Sequence, residues 1–231
     1  MNEQQLSERL EKVVSYIPKG ARIADIGSDH AYLPCHAIQK GQIEFAIAGE
    51  VVDGPFQSAT KQVRSLGLTG EIAVRKGNGL AVIEMADRVD TIVIAGMGGA
   101  LIRSILEADS NKLTGVTHLI LQPNIAAHQL REWGEANQWA LVSESILRED
   151  NKIYEILVLE PSEQKVSYSD SERLLGPFLM QEKSAVFQAK WEHELANWKE
   201  IQTQIDASNA KNEAKLVELG MKIKIIEDVL R

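Results

Sequence analysis

Five short apolar runs end in residues able to bind or position a polar ligand. The first closes in Asp25-Ile26-Gly27-Ser28-Asp29-His30-Ala31 and the second in Glu50. The third closes in Gly77-Asn78-Gly79, the fourth in Ala95-Gly96-Met97-Gly98-Gly99 and the fifth in Gln122-Pro123-Asn124. A dinucleotide site of the G-x-G-x-x-G kind uses its glycines to bring backbone against a pyrophosphate at a helix N-terminus. Only Gly27 remains of that set here, and Asp29 would repel a diphosphate. An Asp-x-Gly loop followed 25 residues after Asp25 by an acidic strand end suits a ligand with an ammonium group and a ribose diol. S-adenosylmethionine has both. Each group also has a plainer reading: Asp25 and Gly27 as a cap and a turn, Glu50 as a solvated carboxylate, Asn78 as a left-handed turn residue, Asn124 as a helix N-cap. In the binding reading Glu50 accepts from both ribose hydroxyls and the Asn78 amide reads the adenine edge.

Placing five such ends side by side requires a parallel sheet, whose ligands bind beyond the carboxyl ends of its strands. Strands are expected at Arg22–Ser28, Phe45–Val51, Ile72–Gly77, Thr91–Met97 and His118–Asn124, alternating with helical-period segments as in βα units. Two more runs, Ala140–Leu147 and Ile153–Glu160, meet at Glu149-Asp150-Asn151-Lys152 and read as a hairpin, so the sheet should finish antiparallel. Ahead of the first strand, Leu6, Leu10, Val13, Val14 and Ile17 predict an amphipathic helix, expected on the sheet edge. A boundary is expected near residue 162. Beyond it, Gly176-Pro177 restarts a helix and Asp206-Ala207-Ser208-Asn209 reads as a turn. Phe178, Val186, Ala189, Leu195, Trp198, Ile201 and Ile205 would face Ala214, Val217, Met221, Ile225 and Val229 in a coiled-coil hairpin. The fold class is therefore α/β, with a helical appendage.

The 231 residues, 44% hydrophobic and 25% charged, are enough for a packed core and exclude a disordered chain. No apolar run approaches the roughly 20 residues that cross a bilayer, and the polar N-terminus is unlike a signal peptide. A cytoplasmic protein is expected. Cys35 is the only cysteine and should be a buried, inert thiol; the five histidines show no ligand spacing, so no metal is expected. The net charge of −8, taken alone, argues against a nucleic-acid partner. The excess acid is uneven: residues 1–162 hold 15 basic and 21 acidic side chains, residues 163–231 hold 10 and 12. Lys183, Lys190, Lys199, Lys211, Lys215, Lys222 and Lys224 lie in that second part, where they read either as a solvated helical face or as a phosphate-binding one.

The strings ADIGSDHAYLP (24–34), AGE (48–50), GNGL (77–80), IAGMGG (94–99) and LQPN (121–124), in this order, resemble the bacterial tRNA (adenine-22-N1)-methyltransferase family, as does LLGPFL (174–179) with its helical tail. The resemblance implies a class I Rossmann-like methyltransferase domain over residues 1–162, a C-terminal coiled-coil domain over 163–231, S-adenosylmethionine as donor and N1 of a D-arm adenosine in tRNA as acceptor. Carried onto this chain, it implies a cofactor set of Asp25, Gly27, His30, Glu50, Val51, Gly77, Asn78, Gly79, Ala95 and Gly96. Met97, Gln122, Pro123 and Asn124 become the wall facing the target base. Many aminomethylases place (Asn/Asp)-Pro-Pro-(aromatic) after the fourth strand; Gly96-Met97-Gly98-Gly99 stands here instead, and Gln122-Pro123-Asn124 would replace it in part.

Adenine N1 already has a free lone pair, so alignment rather than a strong base should dominate. The base must be unpaired or flipped out to expose N1. Asp29 is the candidate for stabilising the developing ring charge, with Tyr32 and His30 able to stack or hydrogen-bond. The helical hairpin is expected to grip tRNA, and a monomer is expected to suffice. Competing readings are a methyltransferase of another RNA or a small molecule, a non-catalytic coiled-coil interaction protein and, least favoured by the first loop, a dehydrogenase.

Overall fold

The computed structural model describes residues 5–207 and 213–231. Its centre is one seven-stranded sheet in the order β3-β2-β1-β4-β5-β7-β6. The strands are β1 (Ala21–Ile26), β2 (Ile43–Glu50), β3 (Ile72–Lys76), β4 (Thr91–Gly98), β5 (His118–Ile125), β6 (Trp139–Glu149) and β7 (Lys152–Pro161). Neighbours from β3 through β5 are parallel, whereas β7 runs antiparallel to both β5 and β6. All seven lie where the sequence predicts them, to within two residues at each end.

Period-two alternation sorts the strand residues between two helical layers. Ala24, Ile26, Ile47, Ile92, Ile94, Leu119 and Leu121 share one core with Ile102 and Leu106 of α4 (Gly99–Ala108) and Leu130 and Trp133 of α5 (His128–Ala136). Ile23, Ala46, Ala48, Val93 and Ile120 share the other with α2 (Tyr32–Gln39) and α3 (Asp53–Ser65). Val13, Val14 and Ile17 belong to this second core, so α1 (Glu8–Ser15) covers a face of the sheet and not its edge. Ser7 caps α1 by accepting from the Leu10 N–H at 3.3 Å. Asp150 and Asn151 both have positive φ, 48° and 60°, the backbone that a tight two-residue hairpin requires. Cys35 is fully buried.

After β7 come α6 (Asp170–Leu175), α7 (Pro177–Glu182), α8 (Ala185–Ala207) and α9 (Glu213–Leu230). Ser169 and Glu172 form a capping box at the start of α6, and Pro177 opens α7. Of the turn predicted at 206–209, Asp206 and Ala207 are the last residues of α8, and 208–209 lie outside the described residues. α8 and α9 pair through Phe187, Trp191 and Ile226, with Leu195, Trp198, Ile225 and Val229 against them. Of the apolar positions expected in that seam, Phe178, Ile201, Val217 and Met221 are exposed instead. The phase differs because the sheet takes part: Ile146 of β6 packs into the same cluster.

A buried ionic cluster joins the two parts. Arg131 of α5 is fully buried; its Nε donates to Glu144 at 2.8 Å and its NH2 lies 2.5 Å from Glu155. NH1 donates to the carbonyls of Arg173 and Leu174, Glu144 accepts from the Phe178 N–H at 3.1 Å, and Lys190 of α8 reaches Glu155. Burial works to raise both carboxyls. It wins at Glu144, whereas Lys190 and Arg131 together outweigh it at Glu155 and hold that carboxyl below the usual range. Gly176 is the crossing point, where a Cβ would stand 2.7 Å from both Arg131 and Glu144.

Arg131→Met would leave Glu144 buried without a cation and Glu155 with Lys190 alone. It should lower the unfolding free energy by about 3–5 kcal/mol, read from urea denaturation. A loss below about 1 kcal/mol would mean that the cluster is solvated or dispensable.

Candidate active site

Strand order reverses between β1 and β4, so the crevice for a ligand opens at their carboxyl ends. A cavity of about 330 Å³ lies there. It brings together Asp25 from the end of β1, Gly27 and Asp29 from the β1–α2 loop, Tyr32 from α2, Ala95, Gly96 and Met97 from β4, and Asn124 from β5. His30, Glu50, Val51, Gly77, Asn78, Gly79, Gln122 and Pro123 lie outside its wall.

Asp25 forms the floor. Burial pushes its carboxyl from 3.8 up to about 7, against the hydrogen bond from the Ser28 hydroxyl at 2.5 Å and with Glu50 adding to the rise. Gly27 has φ +73°, and a Cβ there would meet the Met97 methyl at 2.3 Å. The positive φ favours glycine at this position, whereas the Met97 methyl, at the end of a flexible side chain, could move aside. Asp29, His30 and Ala31 then follow in left-handed backbone, φ 42°, 67° and 57°, a run uncommon outside glycine. Glu50 pins it: Oε1 accepts from the Asp29 N–H at 2.5 Å, and burial raises the Glu50 carboxyl. The Asp29 side chain is exposed at the rim, 3.6 Å from the His30 ring. His30 stacks on Tyr32 at 5.2 Å, and Tyr32 both lines the cavity and packs against the core.

The β2 and β3 ends form an open shelf next to this cavity. Gly77 donates its N–H to the Glu50 carbonyl at 2.8 Å. A Cβ at Gly77 would stand 2.8 Å from Val82, so the chain can close tightly after β3. Gly79, φ +55°, takes the left-handed turn, whereas Asn78 is extended and exposed. That removes the plainer reading of Asn78 as the left-handed residue. Val51, directly after Glu50, is exposed.

On the opposite wall β4 bulges at Gly96, which has φ +81° and no register partner on β5. Two β5 side chains hold this bulge. Gln122 Oε1 accepts from the Gly96 N–H at 3.0 Å, and Asn124 Nδ2 donates to the Gly96 carbonyl at 2.7 Å. Gln122 is fully buried and Pro123 lies buried beside Met97, so only Asn124 of the three meets the cavity. Gln122 and Pro123 shape the wall from behind.

Three lining residues have no signal in the motifs. Arg9 of α1 donates NH1 to Gln122 and lies 5.2 Å from the Tyr154 ring centroid; its Nε is buried with no acceptor. Tyr154 belongs to β7 and Leu10 to α1. An arginine on the polar face of an N-terminal helix looks like any solvated charge until that helix is placed on the sheet face. Most tail lysines, by contrast, are engaged within the chain. Lys183 donates to the Val229 carbonyl at 2.7 Å, Lys199 pairs with Glu227 at 2.6 Å, Lys222 with Glu218 at 2.5 Å and Lys190 with Glu155. Lys211 lies outside the described residues.

Residues 23–228 match the model of the tRNA (adenine(22)-N(1))-methyltransferase family. The chain is 50% identical to the Bacillus subtilis (strain 168) tRNA (adenine(22)-N(1))-methyltransferase, the alignment covering 100% of this chain and 99% of that one. It superposes on a Streptococcus pneumoniae protein crystallised in complex with S-adenosyl-L-methionine with a TM-score of 0.89 at 45% identity, covering 98% of this chain and 100% of that one. M. capricolum TrmK, in complex with S-adenosyl-homocysteine, gives 0.85 at 29% identity, covering 98% and 99%.

With its folded value above 3.8, the Asp25 carboxylate destabilises the empty protein increasingly as pH rises towards about 7. A cationic ligand stabilises that carboxylate and reverses the preference. S-adenosylmethionine affinity should therefore rise by roughly tenfold between pH 5.5 and 7.5, and Asp25→Asn should bind weakly with a flat profile. Identical pH profiles for the two proteins, by calorimetric titration, would sink this account of Asp25.

Proposed function

The chain belongs to the tRNA (adenine(22)-N(1))-methyltransferase family, and we propose that it transfers a methyl group from S-adenosylmethionine to N1 of adenosine 22 in the D arm of tRNA. The observation that most supports this is the buried Asp25 carboxyl beside Gly27 at the strand-order reversal, next to the pinned Glu50. Such a floor calls for a cationic ligand. The Glu50 Oε2 remains as an acceptor for a ribose hydroxyl, Gly27 admits close approach of a ligand to backbone, and Gly77-Asn78-Gly79 offers an open shelf for an adenine. These residues fit the cofactor.

The cofactor supplies an electrophilic methyl on a sulfonium: the S–CH3 bond breaks as the N1–CH3 bond forms, and the positive charge moves from sulfur to the adenine ring. The protein's part is alignment and charge. Asp25, Glu50 and the 77–79 turn fix one partner, and the Gly96 bulge with Met97 and Asn124 forms the wall for the base. Asp29, exposed at the rim, would face positive charge developing on the ring, and Tyr32 would stack on the base once it leaves its helix. No group is needed to take a proton from N1. Residues 1–162 would hold the cofactor and perform transfer, and residues 163–231 would contact tRNA. The active unit in this reading is a monomer, acting in the cytoplasm with its tRNA substrate. Among the described residues no helix is long and apolar enough to cross a membrane.

Incubation with labelled S-adenosylmethionine and unmodified tRNA, followed by mapping of the product nucleotide, should find the label on N1 of adenosine 22. Label elsewhere, or only in a small-molecule extract, would refute the assignment. Asp29→Ala should lower the single-turnover rate at saturating tRNA and cofactor by about tenfold or more; a near-normal rate would remove its electrostatic role.

A further inference from the structure

A second cavity, of about 720 Å³, opens between the end of β5, the β6–β7 hairpin and the helices α8 and α9. Asn124 lines both cavities, so the larger one begins at the wall assigned to the target base. Its composition departs from that of an acidic chain. Arg148, exposed on β6, forms no ion pair among the described residues, and Lys222 of α9 is held only by Glu218 on its own helix. Of the two carboxylates lining the cleft, Glu155 is neutralised by Arg131 and Lys190, which leaves Glu194. Ile125, the residue after Asn124, is 72% exposed at the end of a buried strand. Trp191 lines the same cleft, and its indole N–H is buried with no acceptor.

From these features we propose that the cleft receives the RNA strand adjoining the target nucleotide, with Arg148 and Lys222 on its phosphates and Ile125 against the base left unstacked when its neighbour turns into the first cavity. This rests on the tRNA-methyltransferase reading and adds the path of the strand. Arg148 without an ion-pair partner, and Lys222 held by a single exposed carboxylate, concentrate phosphate attraction at one place in an otherwise acidic surface. An apolar side chain projecting at the mouth fills the space of a departed base at little cost in polar desolvation. Arg148, contributed by the hairpin, is a cation of the cleft that does not depend on the paired lysines of the tail.

The test uses the full chain, with Arg148→Ala, Lys222→Ala, their combination, Arg148→Lys and Ile125→Ala. Affinity for unmodified tRNA is measured by filter binding across a salt series, and affinity for S-adenosylmethionine by calorimetry. The double variant should bind tRNA about tenfold or more weakly, and its log–log salt dependence should flatten by roughly 1.5–2. Arg148→Lys should restore the slope, Ile125→Ala should weaken binding without changing it, and cofactor affinity should stay within about twofold of wild type. Unchanged tRNA affinity and salt slope in the double variant would overturn the proposal, as would an equal loss of cofactor affinity, which would mark a general structural defect. Wild-type protein assayed in parallel separates the two levels. If it fails to methylate tRNA, the functional assignment falls; if it methylates adenosine 22 while the double variant binds normally, only the path through the cleft falls.

Discussion

One guanidinium determines how the two parts of this molecule meet. Arg131 stands fully buried between Glu144 and Glu155 and spends its remaining donors on two carbonyls at the end of α6. Desolvating such a set costs much of what its attraction returns, so its contribution to net stability is small compared with the penalty for breaking it. What it fixes is orientation. A planar guanidinium with five donors accepts few arrangements of its partners, and the Gly176 crossing leaves no room for a side chain between them. The helical pair is thus set against β6 and β7 by directional bonds, whereas an apolar contact alone would allow sliding.

A similar economy governs the wall opposite the cofactor floor. Gly96 leaves the β4–β5 ladder, and its two polar groups are taken up by the side chains of Gln122 and Asn124. Without them the bulge would present an unpaired N–H and carbonyl at the mouth of a cavity, and the strand end would relax into another shape. The glycine-rich fourth strand end and the amide-bearing fifth are therefore one device: backbone irregularity on one strand, side-chain satisfaction on its neighbour.

The sheet could be read from the sequence because its signals are local: β-branched runs, turn residues and a hairpin marked by Asp150-Asn151. So could the motif loops, since a strand end in a parallel sheet is a fixed place. Three things could not. Arg9 enters the site only because α1 lies on a sheet face, a matter of tertiary packing that helical periodicity does not specify. Gln122 has the composition of a ligand contact but sits behind the wall, because burial of an amide depends on what its neighbour strand leaves unsatisfied. The tail helices have apolar residues at several phases, and Phe187, Trp191 and Ile226 are selected over Val217 and Met221 by the presence of β6 beneath them.

Asn124 belongs to the walls of both cavities while its amide holds the Gly96 carbonyl. Any ligand that shifts this side chain on one side changes the shape offered on the other. Two ligands that meet at such a residue are thermodynamically linked: the factor by which the first alters the affinity of the second equals the factor by which the second alters the first. A shared wall of this kind makes the order of arrival immaterial to the final complex, and gives a small molecule on the β1 side a means of adjusting how firmly a macromolecule is held on the β5 side.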